Sequence, residues 1–349
     1  MNLLDAMRYL AALEQHRHFG RAAQACHITQ PALSNALRSL ETSLGVPIVR
    51  RGRQFEGLTP EGERVLASAR RMLHEQERLT QDLASFIGQP RGRLQIGVVP
   101  TALPVAMRLA ARLRERCAGI QPVVRSLSSQ AIEAGLENLT LDLALGYSER
   151  QEVAQRRLAV LPQYTERYYL VERDRVERDR VERDPVERAA EAASVHPADA
   201  ADAADAADAA DAAPCRWSDA AQRAMVLLTP EMHNRAIVDR ALRDAGVQAE
   251  AAIETDTVLA LLQPLLDDGP GALAAILPGA LVATLRSVPG LRARALVEPL
   301  VETPIGLLTA SHVQPTPALA AALALAGEAH WLADVAARTG VGVAWPAGS

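Results

Sequence analysis

The stretch FGRAAQACHITQPALSNALRSLETSL, residues 19–44, decides how the N-terminal part of the chain is read. It begins as a short helix, GRAAQAC (20–26), in which Ala22 and Ala23 are small enough to let another helix approach closely. HIT (27–29) follows as a tight turn, with Ile28 as its buried plug. Thr29 has the hydroxyl of a good N-cap, and Pro31 falls in the first helical turn, where its missing N–H costs nothing. The helix QPALSNALRSLETSL then places Leu33, Leu37, Leu40 and Leu44 on one face and Gln30, Pro31, Ser34, Asn35 and Arg38 on the other. That outer face holds amide, hydroxyl and guanidinium groups and no acid. Such groups read base edges in a major groove.

Upstream, Leu3, Met7, Leu10 and Leu13 recur at helical spacing. Two short helices, a turn and a polar third helix make a helix-turn-helix. Downstream, GVPIVRRGRQFEGLTPEG reads as a wing: a strand over 47–50, a basic turn at Arg51, Gly52 and Arg53, and a return strand over 54–58. Arginines there would meet phosphate, which positions a protein on DNA without specifying sequence. The plainer alternative is a small helical core with a solvated face. Cap, plug, polar face and basic wing all favour DNA.

Together, FGRAAQACHITQPALSNALRSLETSLGVPIVRRGR and LTPEGERVL resemble the DNA-binding domain of LysR-type transcriptional regulators. The resemblance implies that Gln30, Pro31, Ser34, Asn35 and Arg38 face double-stranded DNA and that Thr29, Arg51 and Arg53 lie near phosphate. Two positions depart from the family pattern. Gly20 stands where a capping Ser or Thr is usual, so the second helix is expected to be less firmly capped. Asn35 stands where Arg or Gln is frequent, so base preference is expected to differ.

Thr59 caps the next helix and Pro60 opens it. Val65, Ala69, Met72, Gln76, Leu79, Leu83 and Phe86 follow at alternating spacings of four and three, a heptad seam within residues 60–90. The helix either packs on its own domain or pairs with a second copy. The resemblance favours an antiparallel pair, hence a homodimer or homotetramer, and two half-sites multiply discrimination.

From residue 91 to about 340, strand and helix patterns alternate, as expected of α/β architecture with a mostly parallel sheet. Strands are expected at RLQIGVVPT, PVVRSLSS, LDLALGY, AMVLLTP, AAIET, LAAILP and PIGLLTA, and one closing helix over TPALAAALALAGEAHWLADVAAR. This order resembles the bilobed, periplasmic-binding-protein-like effector domain of the same family. The first lobe would take 91–166 and 303–340, the second 167–302. Ligands of such sheets sit beyond the carboxyl ends of strands, near helix N-termini. That points to Pro100, Thr101, Ser128 and Ser129. It also points to Thr229, Met232, His233 and Asn234, with Glu254, Thr255 and Asp256 ending a strand at the same cleft. For Thr101, Ser128 and Thr229 the alternative role is a simple N-cap. Helix N-termini suit a small anionic effector. LLTPEMHNR and IETDTVLALL are faintly similar to regulators of the cyanate-operon type.

Composition frames these readings. Aromatics make up 3% of the chain, so cores must be built from Leu, Val, Ile and Ala. The formal charge is −5, but VERDRVERDRVERDPVERAAE and the Asp-Ala-Ala repeat behind it, together 171–213, hold six Arg against thirteen acids. The remainder is mildly basic, and residues 1–60 carry seven Arg against four acids, which suits an anionic partner. The repeat periods of five and three form no stripe on helix or strand, so this insertion is expected as a solvated loop inside the second lobe. Cys26, Cys117 and Cys215 form no framework, the N-terminus has no apolar signal core, and no span is long enough for a bilayer. A cytoplasmic protein without membrane association is expected.

His16, His18, Cys26 and His27 match no zinc spacing, and no GxSxG, P-loop, GxGxxG or HExxH occurs. No metal, cofactor or catalytic residue is therefore assigned. The expected protein is a regulator responding to a small effector, with RNA polymerase implied as a further partner. The rival is a small-molecule receptor or enzyme carrying an accessory helix-turn-helix.

Overall fold

The computed structural model describes residues 2–51, 54–85, 90–173, 213–266, 273–286 and 288–339. The N-terminal unit comprises α1 (Leu3–His16), α2 (Phe19–Ala25), α3 (Gln30–Leu44), β1 (Val49–Arg51) and β2 (Phe55–Leu58). Its core joins Leu10 and Leu13 of α1, Ala22 and Ala23 of α2, and Leu33, Leu37 and Leu40 of α3 to Ile48 and Leu58. Ile28 is partly buried against this cluster. Leu44 departs from the expected apolar face and is 44% exposed. It is the last residue of α3, immediately before Gly45 turns left-handed at φ 69°, so the helix has no further turn to carry it onto the core.

The expected weak cap of α2 is also corrected. His18 is the N-cap, and its Nδ1 accepts from the backbone N–H groups of Gly20 (3.0 Å) and Arg21 (3.3 Å). The absence of a side chain at Gly20 makes room for this ring: a Cβ there would lie 3.1 Å from His18 Cε1. Imidazole thus replaces the hydroxyl of a Ser or Thr cap.

The wing is fastened by side chains on both sides. Glu41 Oε1 accepts from the N–H groups of Ile48 (2.9 Å) and Val49 (3.1 Å). The Thr59 hydroxyl donates to Pro47 O (2.7 Å) and accepts from Gly62 N–H (2.9 Å), capping α4 (Pro60–Ser85) as expected. A Cβ at Gly62 would lie 2.1 Å from Ile48 O, so only glycine allows the helix this close to the strand.

The expected heptad seam divides along α4. Ala69 is fully buried, whereas Met72, Leu79 and Leu83 are 45%, 56% and 58% exposed. Phe86 lies outside the described residues. Another face of α4 meets the α/β unit: Arg70 Nη1 donates to Asn138 Oδ1 (2.5 Å), and Gln81 Oε1 accepts from Ala318 N–H (3.2 Å).

The α/β unit is a mixed sheet in the order β4-β3-β5-β12-β6-β10-β8-β9. Its strands are β3 (Gly92–Val98), β4 (Ile120–Ser126), β5 (Leu143–Tyr147), β6 (Leu158–Arg173), β7 (Cys215–Arg216), β8 (Ala224–Leu228), β9 (Ala251–Thr255), β10 (Leu273–Pro278), β11 (Leu291–Val297) and β12 (Glu302–Ala310). Its helices are α5 (Leu103–Arg116), α6 (Ser129–Glu137), α7 (Gln151–Gln155), α8 (Trp217–Ala220), α9 (His233–Asp244), α10 (Val258–Leu266), α11 (Gly279–Leu285), α12 (Pro317–Ala326) and α13 (Ala329–Thr339).

The sheet is mixed: among the described residues five pairings are parallel, as expected, but the four that involve β6 or β12 are antiparallel. One expectation changes here. The closing helix is two helices meeting at 64° around Gly327 and Glu328, and the bend carries Trp331 and Val335 into the core.

Strand β6 makes the fold bilobed. From Leu158 to Arg167 it pairs with β12, and from Tyr168 to Arg173 with β10 and β11. Beyond the crossing its side chains alternate between two cores. Tyr168 and Leu170 join Trp217, Met225 and Val238, while Tyr169 and Val171 join Val226, Leu261 and Leu277. The first lobe packs Leu94, Ile96, Leu109, Leu145, Ile305 and Trp331 in a separate cluster.

The insertion therefore starts later than expected, since residues 171–173 belong to β6 and Val171 is fully buried. Residues 174–212 lie outside the described residues. The strands flanking them, β6 and β7, both pair with β11.

Candidate DNA interface and effector cleft

On α3, Gln30, Pro31, Asn35 and Arg38 are exposed and Ser34 is half-buried, a face opposite the buried leucines. Thr29 Oγ1 accepts from Ala32 N–H (3.4 Å), a long cap bond that fixes the start of this helix. The wing ladder pairs Val49 with Leu58 and Arg51 with Phe55. Arg53 and the Arg51 side chain lie outside the described residues. Phe55 packs edge-on against Phe19 and under the Arg17 guanidinium, tying the wing to the start of α2.

In the α/β unit, the expected cleft residues divide into two groups. Some act as local caps: Ser128 Oγ accepts from Ala131 N–H (3.3 Å) and Thr255 Oγ1 from Thr257 N–H (3.3 Å). Glu254 is engaged by Arg235 Nη1 (2.8 Å). Pro100 opens a short 3₁₀ turn, and Met232 sits at the N-cap of α9 against the second lobe's core.

The others converge. Thr101 is buried and its Oγ1 lies 3.1 Å from the Tyr147 hydroxyl, with the Asn234 side chain close to the same phenol. Thr101 and Tyr147 belong to the first lobe and Asn234 to the second, so this phenol lies where the two lobes meet. Thr229 N–H donates to Thr255 O (2.9 Å). Three buried polar atoms here have no hydrogen-bond partner: Ser129 Oγ, Thr229 Oγ1 and Asn234 Nδ2.

Sequence reasoning missed the polar bridge between the lobes. Arg150, just beyond β5, donates through Nε to the buried Glu133 carboxylate (2.6 Å). Its Nη1 lies 2.9 Å from His233 Nδ1, and Nη2 lies 3.2 Å from Glu152. The His233 ring packs against Tyr147 with centroids 4.7 Å apart. Burial, with Arg150 second, pulls the His233 imidazole down to about 4, so it is neutral at pH 7 and Nδ1 serves as the acceptor. His233 was among the expected cleft residues, and for Arg150 the signal was the polar cluster in LGYSER at a strand end.

Comparison with known proteins agrees with this architecture. Residues 4–63 match the bacterial regulatory helix-turn-helix protein, lysR family, and residues 88–204 and 200–331 match the LysR substrate binding domain. The chain is similar to the SDS degradation transcriptional activation protein of Pseudomonas sp. (strain ATCC 19151), 36% identical over 152 residues, 41% of this chain and 49% of that one. It is 41% identical over 105 residues to the DNA-binding transcriptional dual regulator OxyR of Escherichia coli (strain K12), 30% of this chain and 34% of that one. Matches to the first of these relatives thus span about half of their length. By fold it resembles a full-length OxyR from Pseudomonas aeruginosa (TM-score 0.62, 21% identity, 98% of this chain and 99% of that one). It also resembles CbnR complexed with its target DNA (TM-score 0.56, 18% identity, 95% and 99%). Helix-turn-helix, wing, long helix and two-lobed sheet are matched along nearly the whole chain, and the chain belongs to the LysR family of bacterial regulatory helix-turn-helix proteins, which are DNA-binding transcriptional regulators rather than enzymes.

Proposed function

We propose that this protein binds an interrupted inverted-repeat operator as a homodimer or homotetramer and adjusts transcription in response to a small effector held between its lobes. The exposed, acid-free face of α3, fixed in place by Thr29 and by the wing, carries this reading. Asn35 and Arg38 read base edges with Gln30, Pro31 and Ser34 beside them. Thr29 and the wing residues Arg51 and Arg53 meet phosphate. RNA polymerase is the partner on which such a regulator acts, and the cytoplasm, where the DNA lies, is its place of work. Among the described residues no single helix is long and apolar enough to cross a membrane.

Asn35→Ala and Arg38→Ala are expected to lower discrimination between operator and scrambled DNA by about ten- to a hundredfold, at 1–3 kcal/mol per base contact. Arg51→Ala and Arg53→Ala should weaken binding to both DNAs and flatten the salt dependence by about one unit each. Mobility shifts at several salt concentrations separate these outcomes. Wing variants that altered sequence preference would reverse the assignment.

A small anion is the effector class we favour. The N-termini of α6 and α9 supply partial positive charge, and Ser129 Oγ and Asn234 Nδ2 are buried groups still able to donate. Arg150 adds little net charge, because the buried Glu133 already offsets it. Calorimetry with a panel of small carboxylates, amines and neutral compounds tests this. Binding by a carboxylate that Asn234→Ala abolishes supports it, and binding by amines alone overturns it.

Several relatives are named hydrogen peroxide-inducible genes activators. Peroxide reacts with an accessible thiolate of lowered pKa. Here Cys117 and Cys215 are buried, and burial pushes the Cys26 and Cys215 thiols up. That chemistry favours a bound metabolite over thiol oxidation as the signal.

A further inference from the structure

Aromatic residues are scarce in this chain, yet three of its five tyrosines surround one carboxyl group. Glu166 lies on β6 one pair before the end of the β12 ladder, opposite Thr303. Two residues later, Tyr168 opens the ladder with β10, opposite Pro278. Glu166 therefore occupies the crossing where the strand leaves one lobe for the other. Its side chain is 0% exposed. Oε1 accepts a single long bond from the Tyr164 hydroxyl (3.3 Å), and Oε2 has no partner.

The titratable groups facing this carboxyl are phenols: Tyr164 and Tyr168 of β6, and Tyr147 of β5. From β12 the neighbour is the neutral Thr303 hydroxyl, 3.3 Å from the Tyr168 hydroxyl. Arg150 acts on Tyr147 and is committed to Glu133, and no arginine or histidine among the described residues is paired with Glu166. A buried carboxylate without a cation is strongly disfavoured against the neutral acid.

We propose that Glu166 is a proton-linked switch of the inter-lobe crossing: protonated, it permits the packed arrangement of β5, β6 and β12, and ionised, it loosens that arrangement. Burial pushes its pKa up to about 8, opposed only by the Tyr164 hydrogen bond, so the change falls at mildly alkaline pH. The same phenol, Tyr147, feels the Glu166 charge on one side and on the other meets Thr101 and, across the lobes, the His233 ring. Ionisation at the crossing thus acts on the bridge between lobes, whatever the effector is.

The sign follows from linkage. The unfolded chain ionises Glu166 near its ordinary value of 4.5, and the folded chain keeps its proton to about 8. Between those values folding takes up a proton, so this contribution to stability is complete below 4.5, declines with rising pH and levels off above 8. The test is urea unfolding of the full-length protein from pH 5 to 9, with Glu166→Gln as comparator. The ratio of unfolding constants, wild type over variant, should rise about tenfold per pH unit and flatten near pH 8. Peptides covering 158–173 should lose hydrogen-exchange protection between pH 7 and 9 in the wild type and keep it in the variant, after correction for intrinsic rates. Parallel pH profiles in the two proteins overturn the proposal. Should the variant not fold, infrared titration of the wild type decides: a protonated-carboxyl band lost with a midpoint near 8 is expected, and its absence at pH 7 overturns the proposal.

Discussion

Leu79→Asp combined with Leu83→Asp is expected to leave the chain folded but monomeric, with operator affinity reduced by a hundredfold or more. Both leucines are more than half exposed and lie on a heptad seam with Met72, so neither contributes much to the core of a single chain. A helix end presenting such a seam buries it against a second helix. Two carboxylates placed in that interface would be desolvated without partners, at a cost of several kcal/mol. With the dimer gone, each recognition helix binds one half-site, and the coupling between half-sites disappears. Sedimentation velocity and mobility shifts measure the two effects. A double variant that stays dimeric would show that this face of α4 serves another purpose.

Glu133→Ala should cost about 3–5 kcal/mol of folding stability, the range for removing one member of a buried ion pair. Its carboxylate is 2% exposed and the Arg150 side chain 11%. Without it, Arg150 keeps the neutral His233 and the half-exposed Glu152, neither of which replaces a buried carboxylate at 2.6 Å. Arg150→Met in the same chain should restore much of the loss, because the unpaired charge is then gone. Urea denaturation of the single and double variants gives the coupling energy directly. Independent, additive losses would mean that the two groups do not act as a pair.

The N-terminal unit was legible because its determinants are close in sequence. Caps at Thr29 and Thr59, the leucines at helical spacing, and the glycine and proline signals all act within a few residues. The exceptions turn on space rather than pattern. The His18 cap depends on a ring fitting over Gly20, and Leu44 lies at a helix end. In the α/β unit the strand-end rule led to Thr101, Ser129 and Asn234, whose atoms do lie buried at helix starts. It did not reveal the partners. Tyr147 meets groups 46 residues away, and Arg150 pairs with residues 17 and 83 positions distant.

Strand β6 was missed for a related reason. Glu166, Arg167, Glu172 and Arg173 interrupt its apolar residues, and its two halves serve different sheets, so no single period describes it. By itself the amino-acid sequence determined the helix-turn-helix, the wing, the long helix and the alternation of strands and helices, all consequences of periodicity and local capping. Only the tertiary structure decided where the lobes cross, which polar groups bridge them, and that Glu166 is sealed among phenols, because burial and long-range pairing are properties of the packed chain and not of any segment.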